Sequence, residues 1–366
     1  MTQETADRLN LLDWPAAFPD WLDGETTRPD GDAAKLTNGF PRLNGHHRGW
    51  VEAISAGLKH PAYLLRSSRG GAAGYDQTSG VLPLMLVKGP LFGRFLVSLP
   101  YLNTGGAWAI DAAAAATLVD GACDLADRLD VRYLELRHER PVENRRLNHC
   151  RTDKVHMRLS LPESDEELER LWKSKLRSQI KKAGEYGSTV HWGRLELLDD
   201  FYRVFAENMR DLGTPVFSKR LFAAILDRFD GAAELCVLRQ ADKPVAAALL
   251  THLGGVTEVP SASSLRQYNR TNVNMLMYRR LLSRAIERQS HTFDFGRSSE
   301  GSGTYKFKAQ WGAEPHPAVW QYYVRQGNVD AMRPDSQGNQ RLIRVWQRLP
   351  VWLTRLVGPT IVRGIP

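Results

Sequence analysis

The run Tyr305-Lys306-Phe307-Lys308, with Trp311 close behind it, is the part of this chain best suited to meeting a developing negative charge. A cation beside Phe307 and Trp311 is partly desolvated, and its field acts more strongly there than in water. Read as strand, the stretch points Lys306 and Lys308 to one side; the plainer alternative is a pair of exposed strand lysines. Asp294 and Glu300 are the nearest carboxylates able to receive a proton from an attacking group, although Asp294 could equally pair with Arg297 for structural reasons. The segment RSSEGSG offers Ser298, Ser299 and Gly301 as groups that could wrap a substrate. Arg177, Lys181 and Arg270 could hold phosphates, because guanidinium grips phosphate through two parallel hydrogen bonds. Gly105 and Gly106 permit positive φ or close approach by a ligand. With Tyr101 and Asn103 they could line a cleft between domains, Tyr101 being equally suited to a core.

Other chemistries find no pattern. The sequence holds no GxxxxGK[ST], HExxH or GxSxG motif, and His46-His47 lacks metal-ligand spacing, so no metal site is expected. Cys123, Cys150 and Cys236 are odd in number and far apart, which argues against a disulfide framework or a zinc site and for a reducing compartment.

The elements that must position these residues fall into two series. In the first, a helix is predicted over Trp50–Leu58, then strands over Ala62–Arg66, Val81–Lys88 and Phe95–Leu99, with a turn between the first two. An alanine-rich helix over Ala112–Arg128 and a strand over Arg132–Leu136 complete an α/β unit. In the second, Leu168, Trp172, Leu176 and Ile180 mark one helix over Leu168–Tyr186. Its other face carries Arg170, Lys173, Arg177 and Lys181, which reads either as an anion-binding stripe or as a solvated face. A strand over Ser188–His191 and helices over Asp199–Leu212 and Lys219–Phe229 follow. Then come a meander over Glu234–Arg239, Val245–Leu253 and Val256–Ser261, a helix over Asn272–Arg288 and a strand over Thr292–Phe295. The expected domains are an acidic arm over 1–35, an N-terminal domain over 36–150, a C-terminal domain over 151–328 and a basic amphipathic tail over 329–366.

The charge supports that division. Of 366 residues, 49 are Lys or Arg and 41 Asp or Glu, for a net +8. Residues 1–32 alone hold eight acids against two bases, so the remainder is strongly basic and suits an anionic partner. Residues 331–366 carry six bases and one acid, interleaved with Ile343, Trp346, Leu349, Trp352 and Leu356. Such a segment fits the interface of an anionic bilayer through residues 338–366, or the protein's own core; Pro350 divides it into two short helices. No run reaches the roughly 18–20 apolar residues of a spanning helix, and the first residues lack a secretory signal. A cytoplasmic protein, peripheral at the inner face of the membrane, is the expectation.

The stretch HTFDFGRSSEGSGTYKFKAQWGAEP, residues 291–315, resembles the C-terminal signature of the FemAB family: a strand ending in glycine, a loop, a Phe-Lys pair and an aromatic-glycine step, here Phe307, Lys308, Trp311 and Gly312. KLRSQIKKAGEYG (Lys175–Gly187) resembles that family's basic helix. VSLPYLNTGG (Val97–Gly106) and VFAENMRDLGTPVFSKRLF (Val204–Phe222) resemble segments of its branch associated with the PEP-CTERM/exosortase export system, near the BioF-like acetyltransferase domain. The chain lacks the long inserted coiled-coil pair of some relatives. Arg69 superficially resembles the start of the phosphate-cradling RxxGxG loop of GNAT acetyltransferases, but Ala72 stands where the first glycine should be.

The resemblance implies an α/β fold of two tandem GNAT-like domains, with mixed sheets flanked by helices. It implies an enzyme moving an aminoacyl or acyl group onto an amine of a cell-envelope precursor, peptidoglycan or exopolysaccharide. The co-substrate would be aminoacyl-tRNA or acyl-CoA, no cofactor would be tightly bound, and DNA is not among the partners. Lys308 would stabilise the tetrahedral oxyanion, a role in which single donors are worth about 2.7–4 kcal/mol. The alternatives are a CoA-dependent N-acyltransferase and a non-catalytic adaptor at the membrane surface.

Overall fold

A computed structural model describes residues 7–13, 39–70, 76–89, 92–329 and 337–366. In chain order its elements are β1 (Arg8–Asp13), α1 (Arg48–Leu58), β2 (Ala62–Gly70), β3 (Asp76–Gly89), β4 (Gly93–Val97), β5 (Trp108–Ala109), α2 (Ala112–Arg128), β6 (Tyr133–His138), β7 (His149–Arg151), β8 (Lys154–Ser160), α3 (Asp165–Leu171) and α4 (Ser174–Gly184). There follow β9 (Thr189–Gly193), α5 (Leu198–Leu212), α6 (Lys219–Arg228), β10 (Ala233–Gln240), β11 (Lys243–Leu253), β12 (Val256–Ser264), α7 (Val273–Glu287), β13 (Thr292–Ser299), α8 (Gly303–Ala309), β14 (Glu314–Pro317), β15 (Val319–Val324), α9 (Gln337–Trp346) and α10 (Val351–Val362). They form two mixed sheets flanked by helices, in two compact units.

The first unit holds the described residues through 153, with 317–329 and 363–366. Its sheet runs β1-β2-β3-β4-β6-β15-β7, with β5 on β3. Two elements fall outside the expected domain bounds, and Arg69 has the structural role that the failed loop match left to it. Arg8–Asp13 of the acidic arm is an edge strand on β2, and Asp7 accepts hydrogen bonds from Arg69 (2.8 Å) and Ser79 (2.6 Å); the rest of the arm lies outside the described residues. Val319–Val324, expected in the second domain, pairs instead with β6 and β7, because the apolar run VWQYYV can be covered only inside a sheet. Arg69 is no phosphate ligand: its guanidinium makes two bonds to Asp111, at 2.6 and 3.1 Å, and Asp111 caps α2 by accepting from Ala114 N. Buried Ala115, Leu118, Val119, Ala122, Leu125 and Ala126 recur at helical spacing and lay α2 on the sheet.

β4 and β6 are parallel and joined through α2, but their register covers only Phe95–Val97 against Tyr133–Glu135. Beyond that point Arg137, 3% exposed, fills the gap. It binds Glu135 at 2.6 Å, donates to the carbonyls of Leu102 (2.5 Å) and Leu99 (3.4 Å), and lies 4.1 Å from the centre of the Trp320 ring. The chain folds over it through Leu99 and Tyr101, both at positive φ.

The second unit holds Lys154–His316 and 337–362. Its sheet runs β14-β8-β13-β12-β11-β10-β9. Cys236 and Leu238 of β10 face a core built from α3, α4, α7 and α8, while the alternating Leu235 and Val237 face the side on which α5 lies. The single helix expected over Leu168–Tyr186 is two. Trp172 and Lys173 take extended φ/ψ between α3 and α4, and the break lets the Trp172 ring meet Trp311 edge-on at 5.4 Å while Leu168 and Leu176 stay buried. The tail forms two helices around Pro350, as expected; α10 packs on α5, and both helices meet the segment that follows it, Ile343 at Gly213 and Gly358 at Val216.

Glu135 and Arg137 are a nearly buried ion pair, and removing one partner strands the other charge. Arg137→Met is expected to destabilise the protein by about 3–5 kcal/mol, with much of the loss recovered on adding Glu135→Leu. Urea unfolding monitored by circular dichroism checks this.

Candidate functional site

The second unit repeats the parallel pair but does not plug it in the same way. β12 and β13 are in register only over Val256–Glu258 and Thr292–Asp294. Past those residues each strand bulges against its other neighbour. On β12 two residues, Val259 and Pro260, oppose Leu250 of β11; on β13 Phe295 and Gly296 oppose Met157 of β8. A two-against-one bulge bends its strand and raises the local twist. Two bulges at one level turn the strands apart, and the parallel register of β12 and β13 stops at Glu258 and Asp294. A chain of amides or an ester can bind such an edge as an added strand would.

The β13 bulge is tightly specified. Gly296 adopts φ +75°, and its N–H donates to Asp294 Oδ1 at 2.7 Å. Asp294 Oδ2 accepts from Arg158 Nε at 2.9 Å, so Arg158, not Arg297, is its ionic partner. Both oxygens of Asp294 thereby serve the bulge, which makes it a positioning residue in this structure. Lys308 completes the arrangement, its Nζ donating to the carbonyls of Gly296 (2.9 Å) and Arg297 (3.1 Å). An ammonium has three N–H donors, and these bonds use two.

Lys306 and Lys308 do not lie on a strand. They belong to α8, which Ser302 caps by accepting from Tyr305 N and which Gly301, at φ +70°, introduces. Two residues along a helix turn by about 200°, so Lys306 is exposed while Lys308 is 8% exposed. Trp311 is buried, and Phe307 and Tyr305 are half-buried against the same core. Phe307 meets Tyr278 at 4.9 Å and Trp311 at 6.3 Å. This aromatic wall strips water from Lys308, and desolvation lowers its pKa to about 8 against the opposing pull of Asp294. Among the described residues Ser298 Oγ, 3% exposed, has no hydrogen-bond partner; its register with Val155 puts it on the core face that also carries α8. It is strand, not loop. Arg297 and Ser299 are half-buried on β13, and Glu300 and Gly301 are exposed in the turn beyond.

Between β12 and α7 lies the single turn Arg266–Thr271, read RQYNRT. It has the arginine of the RxxGxG pattern, but Asn269 and Thr271 stand where the glycines would be. Asn272, at φ +53°, caps α7 without a side-chain bond, and its carbonyl accepts from Met275 N at 2.8 Å. Gln240 donates to Thr271 Oγ1 and Ser188 Oγ, tying this turn to the segment just after α4. Arg270 is exposed in the turn, and Arg177 and Lys181 are exposed on α4. The sequence reading missed the role of Arg158, the double bulge and this turn. A glycine inside FDFGRSS was the available signal for the bulge.

Tyr101, Asn103, Gly105 and Gly106 belong to the first unit and are engaged within it. Tyr101 O–H meets His60 Nε2 at 3.0 Å, the Asn103 carbonyl accepts from Trp320 Nε1, and both glycine N–H groups donate to the Arg137 carbonyl. A Cβ on Gly106 would lie 2.0 Å from His138. The glycines admit the protein's own side chains.

Residues 170–309 match the family model described as the acetyltransferase (GNAT) domain. FemX has a similar structure, with TM-score 0.60 and 15% identity over 93% of this chain and 100% of that one. A tandem GNAT protein from the clavulanic acid biosynthesis pathway matches with TM-score 0.50 and 12% identity, over 88% of this chain and 100% of that one. The C-terminal domain of a putative lysylphosphatidylglycerol synthetase from Agrobacterium fabrum matches with TM-score 0.50 and 13% identity, over 77% and 89%. No curated protein matches the sequence significantly. The fold is of the tandem GNAT type. Among the described residues there is no cluster of three potential metal ligands and no helix long and apolar enough to cross a membrane.

In lysine-selective carbon NMR, the Cε resonance lost in Lys308→Arg is expected to titrate near pH 8, below the exposed lysines at roughly 10.4. Titration with the exposed lysines would contradict the desolvated geometry. Because the folded pKa is the lower one, the unfolded chain binds more protons between pH 8 and 10.5, and this lysine's contribution to stability rises with pH across that window.

Proposed function

We propose that the second unit transfers an acyl or aminoacyl group to an amine, with the carbonyl of the donor ester or thioester placed where β12 and β13 part. The observation that carries this reading is the Lys308 ammonium fixed at the β13 bulge with one N–H unused among the described residues, within residues matched by the acetyltransferase (GNAT) model. Attack by the amine converts the carbonyl into a tetrahedral oxyanion; the unused N–H of Lys308 stabilises it, and its collapse expels the donor's alcohol or thiol. A preorganised donor of this kind in a dry site contributes about 10²–10³ in kcat. The amine's proton leaves to a carboxylate, for which Glu300 stands exposed at the end of β13, while Asp294 is committed to Arg158 and Gly296.

Two donors fit the reaction. The turn before α7 lacks the glycines that let a backbone close on a pyrophosphate, which favours an aminoacyl ester, as on charged tRNA, over acyl-CoA. Arg270, Arg177 and Lys181 supply positive charge for the donor's or acceptor's phosphates. The acceptor we propose is an amine on a cell-envelope precursor, of peptidoglycan or exopolysaccharide. The link to a PEP-CTERM/exosortase system rests on sequence resemblance alone. A non-catalytic adaptor would have no use for a buried, desolvated lysine at a strand bulge.

Single-turnover transfer of labelled groups from charged tRNA and from acyl-CoA to an amine acceptor tests the proposal. Lys308→Met is expected to lower the rate about 10²–10³-fold with its thermal unfolding still cooperative. The wild-type rate should fall as pH rises through about 8, since the charged form is the active one; a rise through that pH would make Lys308 a base. Equal rates in wild type and variant with both donors would end the proposal.

A further inference from the structure

α9 and α10 are bound to the second unit along one side only. Ile343 rests on Gly213, the Leu349 carbonyl accepts from Arg210, Gln347 donates to the Asp211 carbonyl, and Thr354, Gly358 and Val362 are buried. The opposite side leaves large apolar groups in water: Leu342 is 68% exposed, Val345 60%, Trp352 67% and Leu356 69%. A spacing of three within α9 and of four within α10 keeps each pair on one side of its own helix. Arg341, Arg344 and Arg348 are exposed among them, Arg355 lies over the Tyr202 ring of α5, and residues 337–366 contain five arginines and no acid.

We propose that this face docks onto an anionic lipid surface, with Trp352, Leu356, Leu342 and Val345 entering the acyl boundary and the arginines meeting phosphate headgroups. Charge and apolarity together select that occupant. An RNA would satisfy the arginines and leave four large apolar side chains in water. A second copy of the chain would bury them but set Arg341, Arg344 and Arg348 against their own copies. An anionic bilayer accommodates both, because an amphipathic helix lies in the interface plane with its apolar side buried and its cations at the headgroups. Helices of 10 and 12 residues cannot span the bilayer, so the attachment is peripheral. This inference does not depend on the transfer reaction.

The test is sedimentation of the full chain with phosphatidylcholine vesicles made with and without phosphatidylglycerol. Binding is expected only to the anionic vesicles and to weaken with added salt. Arg344→Glu/Arg348→Glu and, separately, Trp352→Ala/Leu356→Ala should each lower partitioning at least about tenfold. These positions are exposed, so unchanged thermal unfolding shows that the fold is kept. Brominated lipid should quench wild-type fluorescence more than that of Trp352→Phe. Equal binding to neutral vesicles, no binding to either, or unaffected binding by both double variants overturns the proposal. So does a dimer in buffer that Trp352→Ala/Leu356→Ala dissolves, which would assign the face to a second copy.

Discussion

The second unit depends on a parallel strand pair that is allowed only three residues of pairing. A continuous ladder between β12 and β13 would satisfy every backbone group and leave nowhere for a ligand. Pro260, which has no N–H to give a ladder, stands in the bulge of β12, and Gly296, at φ +75°, makes the bulge of β13. Once the strands part, something must hold the opened edge. Asp294, Arg158 and Lys308 do so, by taking up the Gly296 N–H and the Gly296 and Arg297 carbonyls.

The first unit shows what happens to the same topology when the opening is filled. Its parallel pair is equally short, but Arg137 occupies the gap, paired with Glu135, while Leu99 and Tyr101 accept unfavourable backbone conformations to close over it. The two histidines nearby are neutral at physiological pH, since burial lowers the pKa values of His46 and His138 to about 4. In one unit Arg137 occupies the opening, and in the other the parallel register stops without such a side chain. The assignment of transfer chemistry to the second unit is built on that asymmetry.

Much of this was legible in the sequence. Helical periodicity located α2 to the residue, and the turn signals at Asp242–Pro244 and Gly254-Gly255 located β10, β11 and β12, the first two of which are buried on both faces. The Phe307-Lys308 pair was legible as a desolvated cation. Its backbone was not: KFK alternates like a strand, and only the cap at Ser302 and the burial of both Lys308 and Trp311 at three-residue spacing reveal a helix. The division of the basic helix at Trp172 was hidden for a similar reason, since four-residue spacing continues through the break and the aromatic contact with Trp311, about 140 residues away, decides the geometry. Asp294 looked like a base because its partner Arg158 is distant in sequence and adjacent only across β8 and β13.

The most direct test of the central claim is a backbone NMR titration of the labelled protein with two unreactive donor analogues, a CoA thioether and an amide-linked aminoacyl adenosine. The account predicts that one of them shifts the amides of Val259–Ser264 and Phe295–Ser299 together and leaves Leu99–Gly106 unmoved. Shifts centred on Leu99–Gly106 and Arg137, or none on either strand with both analogues, would contradict it.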